Sequence, residues 1–291
     1  VKPARFDYYD PRHLQEALEI LHAHPDDGKI LAGGQSLMPL LNMRLARPKI
    51  IVDINRIEGL NYVKATGTGI AIGANVRQRA LQTERLIGER LPVLRDAGYF
   101  IAHPQIRSRG TICGSLAHAD PAAELPALAV ALDAELVATG SNGARTIAAS
   151  EFFQSYFTTA LQPDEILAEA RFPAPPSEMA WSVLEVNRRH GDFALVGIVA
   201  GLAIERGRAV INRARLVYFG VGATPMRVNT AEALLVGQAP GEGAFDAAAQ
   251  VAGKEIDPSN DIHATAEYRR AVAATLTRRA LRAAMEKLKA N

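Results

Sequence analysis

Gly110-Thr111-Ile112-Cys113-Gly114-Ser115-Leu116-Ala117-His118-Ala119-Asp120-Pro121 decides how this chain is to be read. The run is small and polar, so it is expected to lie in an irregular loop from His103 to Asp120 and not in a core helix. It offers Thr111, Ser115 and His118 as hydrogen-bonding side chains, together with several free backbone amides. Glu124 stands just beyond, a carboxylate available to accept from a ligand. From these residues alone, a ligand-holding loop and an irregular surface loop both stay open.

A second bend makes the first more informative. Ala32-Gly33-Gly34-Gln35-Ser36 falls between an expected strand, Lys29–Ala32, and an expected helix, Leu37–Leu45. Glycines let the backbone approach a ligand closely. Free amides at such a bend, with a helix N-terminus behind them, seat phosphate oxygens, and Ser36 adds a hydroxyl. No Gly-Lys-Ser/Thr follows, so this is not a P-loop, and the spacing is not that of the Gly-x-Gly-x-x-Gly dinucleotide fingerprint. A purely structural turn is the competing reading.

Outward from these bends the chain alternates. Asp10 is the expected N-cap of a first helix, with Pro11 at its first position and Leu14, Ala17, Leu18 and Leu21 on one face. Lys49–Ile54 reads as a buried strand. Tyr62–Ala65 and Gly69–Gly73 form a hairpin about Thr66-Gly67-Thr68, Arg77–Gly98 has a helical pattern, and Leu125–Leu132 is a further helix. A hairpin of Ala134–Thr139 with Ala144–Ala148 turns on Ser141-Asn142-Gly143. Ile166–Phe172 is a strand, and Pro173-Ala174-Pro175-Pro176 is the clearest linker. Beyond it come three antiparallel strands, Ser182–Asn187, Ala194–Ile204 and Ala209–Phe219. Helices follow at Asn229–Leu235, Gly243–Gly253 and Thr265–Lys289. The last carries Arg269, Arg270, Arg278, Arg279 and Arg282, read as a solvated face.

Composition excludes whole classes. The 291 residues, 48% hydrophobic and 22% charged, fit two or three packed units. A formal net charge of +2 gives no footprint for nucleic acid. No apolar run approaches the roughly 20 residues of a membrane span, and Val1–Asp10 lacks a signal-peptide core, so the cytoplasm is the expected address. The single cysteine, Cys113, cannot hold an iron–sulfur cluster, which takes about four ligands. His103, His190 and His263 lack the spacing of a metal site or a partnered nucleophile and read as loop or surface residues.

Taken together, the stretches resemble one family. Ala-Gly-Gly-Gln-Ser at 32–36, Thr-Ile-Cys-Gly-Ser at 111–115 and Ala-Asp-Pro-Ala-Ala-Glu-Leu-Pro at 119–126 are similar to the FAD-binding signatures of the medium subunit of carbon monoxide dehydrogenase-type molybdenum hydroxylases. The resemblance extends to Leu41–Pro48, Val52–Leu60, Thr159–Leu167, Arg188–Gly197 and Asp261–Arg270. It implies an α+β fold. Residues 1–57 and 58–176 would form a two-subdomain FAD-binding unit of the vanillyl-alcohol oxidase/p-cresol methylhydroxylase type. Residues 177–291 would form a C-terminal domain with a three-stranded antiparallel sheet and helices. By the same resemblance, Ala32, Gly33, Gly34, Gln35 and Ser36 with Thr111, Cys113, Gly114 and Ser115 hold the pyrophosphate of a non-covalent FAD. His118 and Glu124 face its ribityl–isoalloxazine part, Leu161 lines the ring, and Ile101, Asp192 and Phe193 are further candidates near it.

The implied role is electron transfer. A large partner subunit would carry the molybdenum cofactor, a small one the [2Fe–2S] clusters, and this chain would pass electrons from FAD to an external acceptor in a dimer of heterotrimers. No catalytic or metal-binding residue is assigned. Two other readings stay open: a free-standing FAD oxidoreductase of the same superfamily, and a non-catalytic flavin-binding assembly module. Two departures stand out. Cys113 replaces a glycine usual in the second signature, and Leu184-Glu185-Val186 precedes Arg188 where many relatives carry a lysine.

Overall fold

In the computed structural model, residues 2–67, 69–205 and 207–290 are described, so Thr68 of the expected hairpin turn and Val1 of the opening stretch lie outside them. A parallel sheet opens the chain, with Ile50–Asp53 in the middle, flanked by Asp7–Tyr9 and Gly28–Leu31. Ile50, Ile51 and Val52 are all buried, as a central strand covered on both faces requires. The helix Leu14–Ala23 packs Ala17, Leu18 and Leu21 inward. It begins three residues later than expected from an Asp10 cap. His13 occupies the N-cap position, and the Asp10 carboxylate instead accepts from Arg56 at 2.6 Å. The second helix is short, Leu37–Asn42.

An antiparallel five-stranded sheet follows, in the order Val63–Thr66, Gly69–Gly73, Ile166–Phe172, Glu135–Gly140, Gly143–Ala148. Gly143 supplies the positive φ, 107°, of the second hairpin turn. The helical stretch expected over Arg77–Gly98 is broken into Ala80–Thr83, Arg85–Arg90 and Pro92–Ala97. Pro92 forces the break before it, because its ring excludes the helical conformation at Leu91, which sits at φ −138° and ψ 63°.

The expected loop over 103–120 is corrected by the structure. It contains two helices, Pro104–Arg107 and Ile112–His118. The small residues misled the composition-based reading. Ile112, Cys113 and Leu116 share one buried face at helical spacing, while Gly114 and Ser115 lie on the partly open side.

The C-terminal sheet has the order Met179–Val186, Val196–Glu205, Val210–Phe219, Met226–Arg227. It is four-stranded: the three expected strands are joined by a two-residue edge strand. Both of its faces are covered. Val196, Ile198, Ala200 and Leu202 pack on the helices Asn229–Leu235, Glu242–Glu255 and Ala266–Ala290. Trp181, Val183, Val199, Val217 and Phe219 join the core of the first 172 residues' sheets and helices. That double burial explains the nearly unbroken apolar run through the middle strand. Arg269 departs from the solvated-face reading. It is 6% exposed and donates to the carbonyls of Leu195 and Gly220 and to Asp261. Arg270, Arg278 and Arg282 pair with Asp257, Asp246 and Glu242.

Candidate functional site

The two bends meet. A β-carbon on Gly33 would lie 2.5 Å from the Arg109 carbonyl oxygen and 2.5 Å from Gly110 Cα, so only glycine permits this backbone-to-backbone approach. Gly34 has φ +72°, a conformation that disfavours any β-carbon. Gly114, one turn along, faces Ala32 Cβ at 3.8 Å from its own ideal β-carbon.

A polar strap fixes this contact. Asn55 follows the central parallel strand and donates from Nδ2 to the Ala32 carbonyl at 2.8 Å. Arg77 donates from Nη2 to Asn55 Oδ1 at 2.7 Å and from Nη1 to the Arg109 carbonyl at 2.6 Å. The strap therefore runs from one bend to the other. Thr111 pairs as an isolated bridge with Arg77 and caps its helix by accepting from the Gly114 amide at 3.0 Å. Asn55 and Arg77 escaped the sequence reading because neither lies in a glycine-rich run; Asn55 falls within the stretch 52–60 that carried part of the resemblance.

What the bends present is a set of donors. Among the described residues, none accepts a hydrogen bond from the amides of Gly33, Gly34, Gln35 or Ser36, all of which are only partly buried. Gln35 folds its side chain back to the Gly33 carbonyl at 3.1 Å and so accepts from none of these amides. Unpaired amides take their partner from outside the chain, water or a ligand. An anionic diphosphate meets that need, so the residues fit the group that the sequence pattern implied.

Cys113 lies on the far side of this arrangement. It is 2% exposed, its thiol points at the Ile72 carbonyl 3.6 Å away, and burial pushes it up to about 12. It sits within a helix, so no positive φ is demanded and the glycine of relatives is replaced without strain. Its side chain takes no part in the polar face; only its backbone can.

The other end of the helix Ile112–His118 leads to a second group of residues. His118 is half-buried, and its ring lies 5.1 Å from that of Phe157, at the tip of the hairpin Phe153–Ser155/Thr158–Thr159. Burial lowers the His118 pKa, favouring the neutral imidazole. Leu161 follows that hairpin, partly buried against the core. Separately, Gly191 packs on His103: its β-carbon would lie 2.5 Å from His103 Cε1 and 3.0 Å from the Ala102 carbonyl. This brings Asp192 and Phe193 beside the Ile101–His103 bend, which buried Arg107 secures by donating to the carbonyls of Ile101 and Ala102. Ile101 itself is core, 5% exposed, whereas Phe193 is 59% exposed. Glu124 is buried at the start of its helix, and burial pushes it up to about 7.

Other polar groupings lack the geometry for chemistry. His22 and Ser141 both meet Asp164 Oδ2, at 3.1 and 3.0 Å. Ser141 and Asp164 share the same ring nitrogen, so the group cannot relay a proton as a triad does. His103, His190 and His263 are exposed. Among the described residues no cluster of three His, Cys, Asp or Glu side chains could hold a metal ion, and no helix is long and apolar enough to cross a membrane. A cavity of about 530 Å³ lies elsewhere, lined by Pro173–Pro176, Trp181, Arg213 and Arg215, and none of the bend residues reaches it.

Residues 4–175 match the model of the FAD binding domain in molybdopterin dehydrogenase, and residues 181–284 that of the CO dehydrogenase flavoprotein C-terminal domain. The chain is 41% identical over 288 residues to 6-hydroxypseudooxynicotine dehydrogenase complex subunit alpha of Paenarthrobacter nicotinovorans, covering 99% of this chain and 97% of that one. It is 35% identical to the carbon monoxide dehydrogenase medium chain of Hydrogenophaga pseudoflava, with 97% and 98% covered. A solved structure of carbon monoxide dehydrogenase from that organism superposes with a TM-score of 0.95 at 36% identity, covering 98% of this chain and 99% of that one.

Proposed function

The chain belongs to the family of FAD-binding medium subunits of molybdenum hydroxylases, and from that premise we propose that it holds FAD between the bends 32–36 and 111–115 and relays electrons from an iron–sulfur partner to an external acceptor. The observation that carries this reading is the contact of Gly33 with Arg109 and Gly110, which gathers unpaired amides at one place. The amides of Gly33, Gly34, Gln35 and Ser36, with the Ser36 hydroxyl, bind the diphosphate, and Thr111, Gly114 and Ser115 close the seat from the second bend. Cys113 contributes backbone alone. The seven-residue helix Ile112–His118 spans roughly 10 Å at about 1.5 Å per residue, enough to separate the diphosphate seat from the ring seat.

At the ring end, His118, Glu124, Leu161, Ile101, Asp192 and Phe193 shape the pocket. Neutral His118 offers a hydrogen bond without adding charge, and exposed Phe193 and Phe157 cover the flavin and exclude water. FAD, when bound, exchanges electrons one or two at a time. The chain's own task is to bind, orient and shield it. A large molybdenum-cofactor subunit and a small [2Fe–2S] subunit complete the assembly as a dimer of heterotrimers in the cytoplasm. The units 1–57, 58–176 and 177–291 are its working divisions, with FAD clasped by the first two.

The test is a double substitution, Gly33→Val with Gly34→Val. The first side chain meets backbone at 2.5 Å and the second a positive φ, so the bends separate and flavin content, read by absorption against protein, falls to near zero while far-UV circular dichroism is kept. Full flavin content in this variant would overturn the assignment of the seat.

A further inference from the structure

The parallel strands that open the chain end beside one carboxylate. Asp53 closes the central strand Ile50–Asp53 and lies opposite Leu31, the residue before the first bend. Tyr8, on the flanking strand Asp7–Tyr9, is in register with Ile51 and reaches forward to Asp53. Open sheets of parallel strands hold ligands outside their carboxyl ends, and this is the end at which the bend 32–36 leaves the sheet.

Both oxygens of Asp53 are engaged. Oδ1 accepts from the Asn55 backbone amide at 2.8 Å and from Asn55 Nδ2 at 2.5 Å. Oδ2 accepts from the Tyr8 hydroxyl at 2.6 Å. The bond to the Asn55 amide is an Asx-turn, which takes the chain out of the strand and delivers Asn55 beside the bend. The bond from Tyr8 fixes the carboxylate from the other side. That bond pushes the Tyr8 pKa up to about 12, so the hydroxyl stays a donor.

The bond from Nδ2 decides which way Asn55 faces. A side-chain amide can be turned over, exchanging its oxygen for its nitrogen. Here Nδ2 lies between two groups that only accept, Asp53 Oδ1 and the Ala32 carbonyl. Oδ1 meets a group that only donates, the Arg77 guanidinium, at 2.7 Å. Turned over, Asn55 would set oxygen against two oxygens and N–H against N–H. Without Asp53, a single carbonyl is left to hold Nδ2 in place. The Asp53 charge acts on Arg77 as well: burial and the Arg109 charge lower the Arg77 pKa, and Asp53 opposes them.

Building on the FAD reading, we propose that Asp53 is a positioning residue for the FAD diphosphate. It holds Asn55 in the one orientation that joins the Ala32 carbonyl to Arg77, and Arg77 carries the tie on to the Arg109 carbonyl. Asp53 acts through Asn55 and Arg77, its own oxygens being taken up by Tyr8 and Asn55. This gives a task to the first charged residue of the stretch 52–60, which the sequence pattern left without one.

The test compares the FAD affinity of the native full chain with that of Asp53→Ser, Asp53→Asn, Arg77→Ala and the double variant Asp53→Ser with Arg77→Ala, read by quenching of FAD fluorescence. Serine keeps the turn by accepting from the Asn55 amide, but its side chain is too short to hold Nδ2 as well. Asparagine offers an acceptor oxygen of the same reach and keeps both bonds. Asp53→Ser should weaken FAD binding about tenfold, the worth of one hydrogen bond, and Asp53→Asn should stay within about threefold of native. The double variant should bind FAD about as well as Arg77→Ala alone, because both changes break the same tie. Native affinity in Asp53→Ser would overturn the proposal, as would failure of Asp53→Asn to recover binding. Losses that multiply in the double variant, the mark of a general weakening of the fold, would overturn it too. Failure of the native chain to bind FAD would overturn the underlying FAD assignment instead, so the two failures are distinguishable.

Discussion

At the scale of single residues, the strap Ala32–Asn55–Arg77–Arg109 does what the glycines alone cannot. Glycine permits close approach of the bends, but it does not hold them; Arg77 does, with one donor to each side of the contact. Removing its guanidinium leaves Asn55 Oδ1 and the Arg109 carbonyl without their donor, a loss of about 1.5–3 kcal/mol for a hydrogen bond to a charged group. Arg77→Ala should therefore weaken FAD binding about tenfold or more, which equals about 1.4 kcal/mol, and lower the melting temperature by a few degrees. Quenching of FAD fluorescence on titration with the apo chain measures this, and unaltered affinity would show that the bends meet without the strap. Cys113 carries the opposite lesson. Its position in a signature suggested proximity to phosphate, yet its thiol is turned into the core against Ile72. A motif places a backbone and leaves the side chain's direction to the local helix.

At the scale of elements, the helix Ile112–His118 connects the two ends of the site, and Thr111 starts it. The Thr111 hydroxyl accepts from the Gly114 amide, and loss of such a cap costs about 0.5–2 kcal/mol. Thr111→Ala should lower stability by about that amount and reduce flavin retention, and Thr111→Ser should restore both; thermal denaturation with and without FAD reads the two effects. This helix was also the least legible element in the sequence. Gly114, Ser115 and Ala117 mask the buried spacing of Ile112, Cys113 and Leu116, so composition argued for a loop. By contrast, Ile166–Phe172 and Asn229–Leu235 were bounded correctly by alternation and by helical period. The first helix was found but begun too early, because Asp10, a good cap in isolation, is drawn into an ion pair with Arg56 from a distant segment. Long-range partners of this kind, Asn55 with Arg77 among them, leave no mark at local spacing.

At the scale of the whole molecule, the C-terminal sheet is buried on both faces and tied to the first part by Arg215 with Asp133 and by Lys287 with Asp96. The segments 118–124 and 185–193 are therefore anchored in one continuous core. The glycine bends were legible in the sequence and the structure brings them together, whereas the packing of segment 185–193 depends on a sheet crossing the molecule and left no local signal. The account as a whole requires that the segments 33–36 and 111–115 serve one ligand. Amide hydrogen exchange of the full chain, followed by mass spectrometry with and without added FAD, tests this most directly. The prediction is simultaneous slowing of exchange in both segments at the same FAD concentration; binding of FAD with one or both segments exchanging as in the apo chain would contradict it.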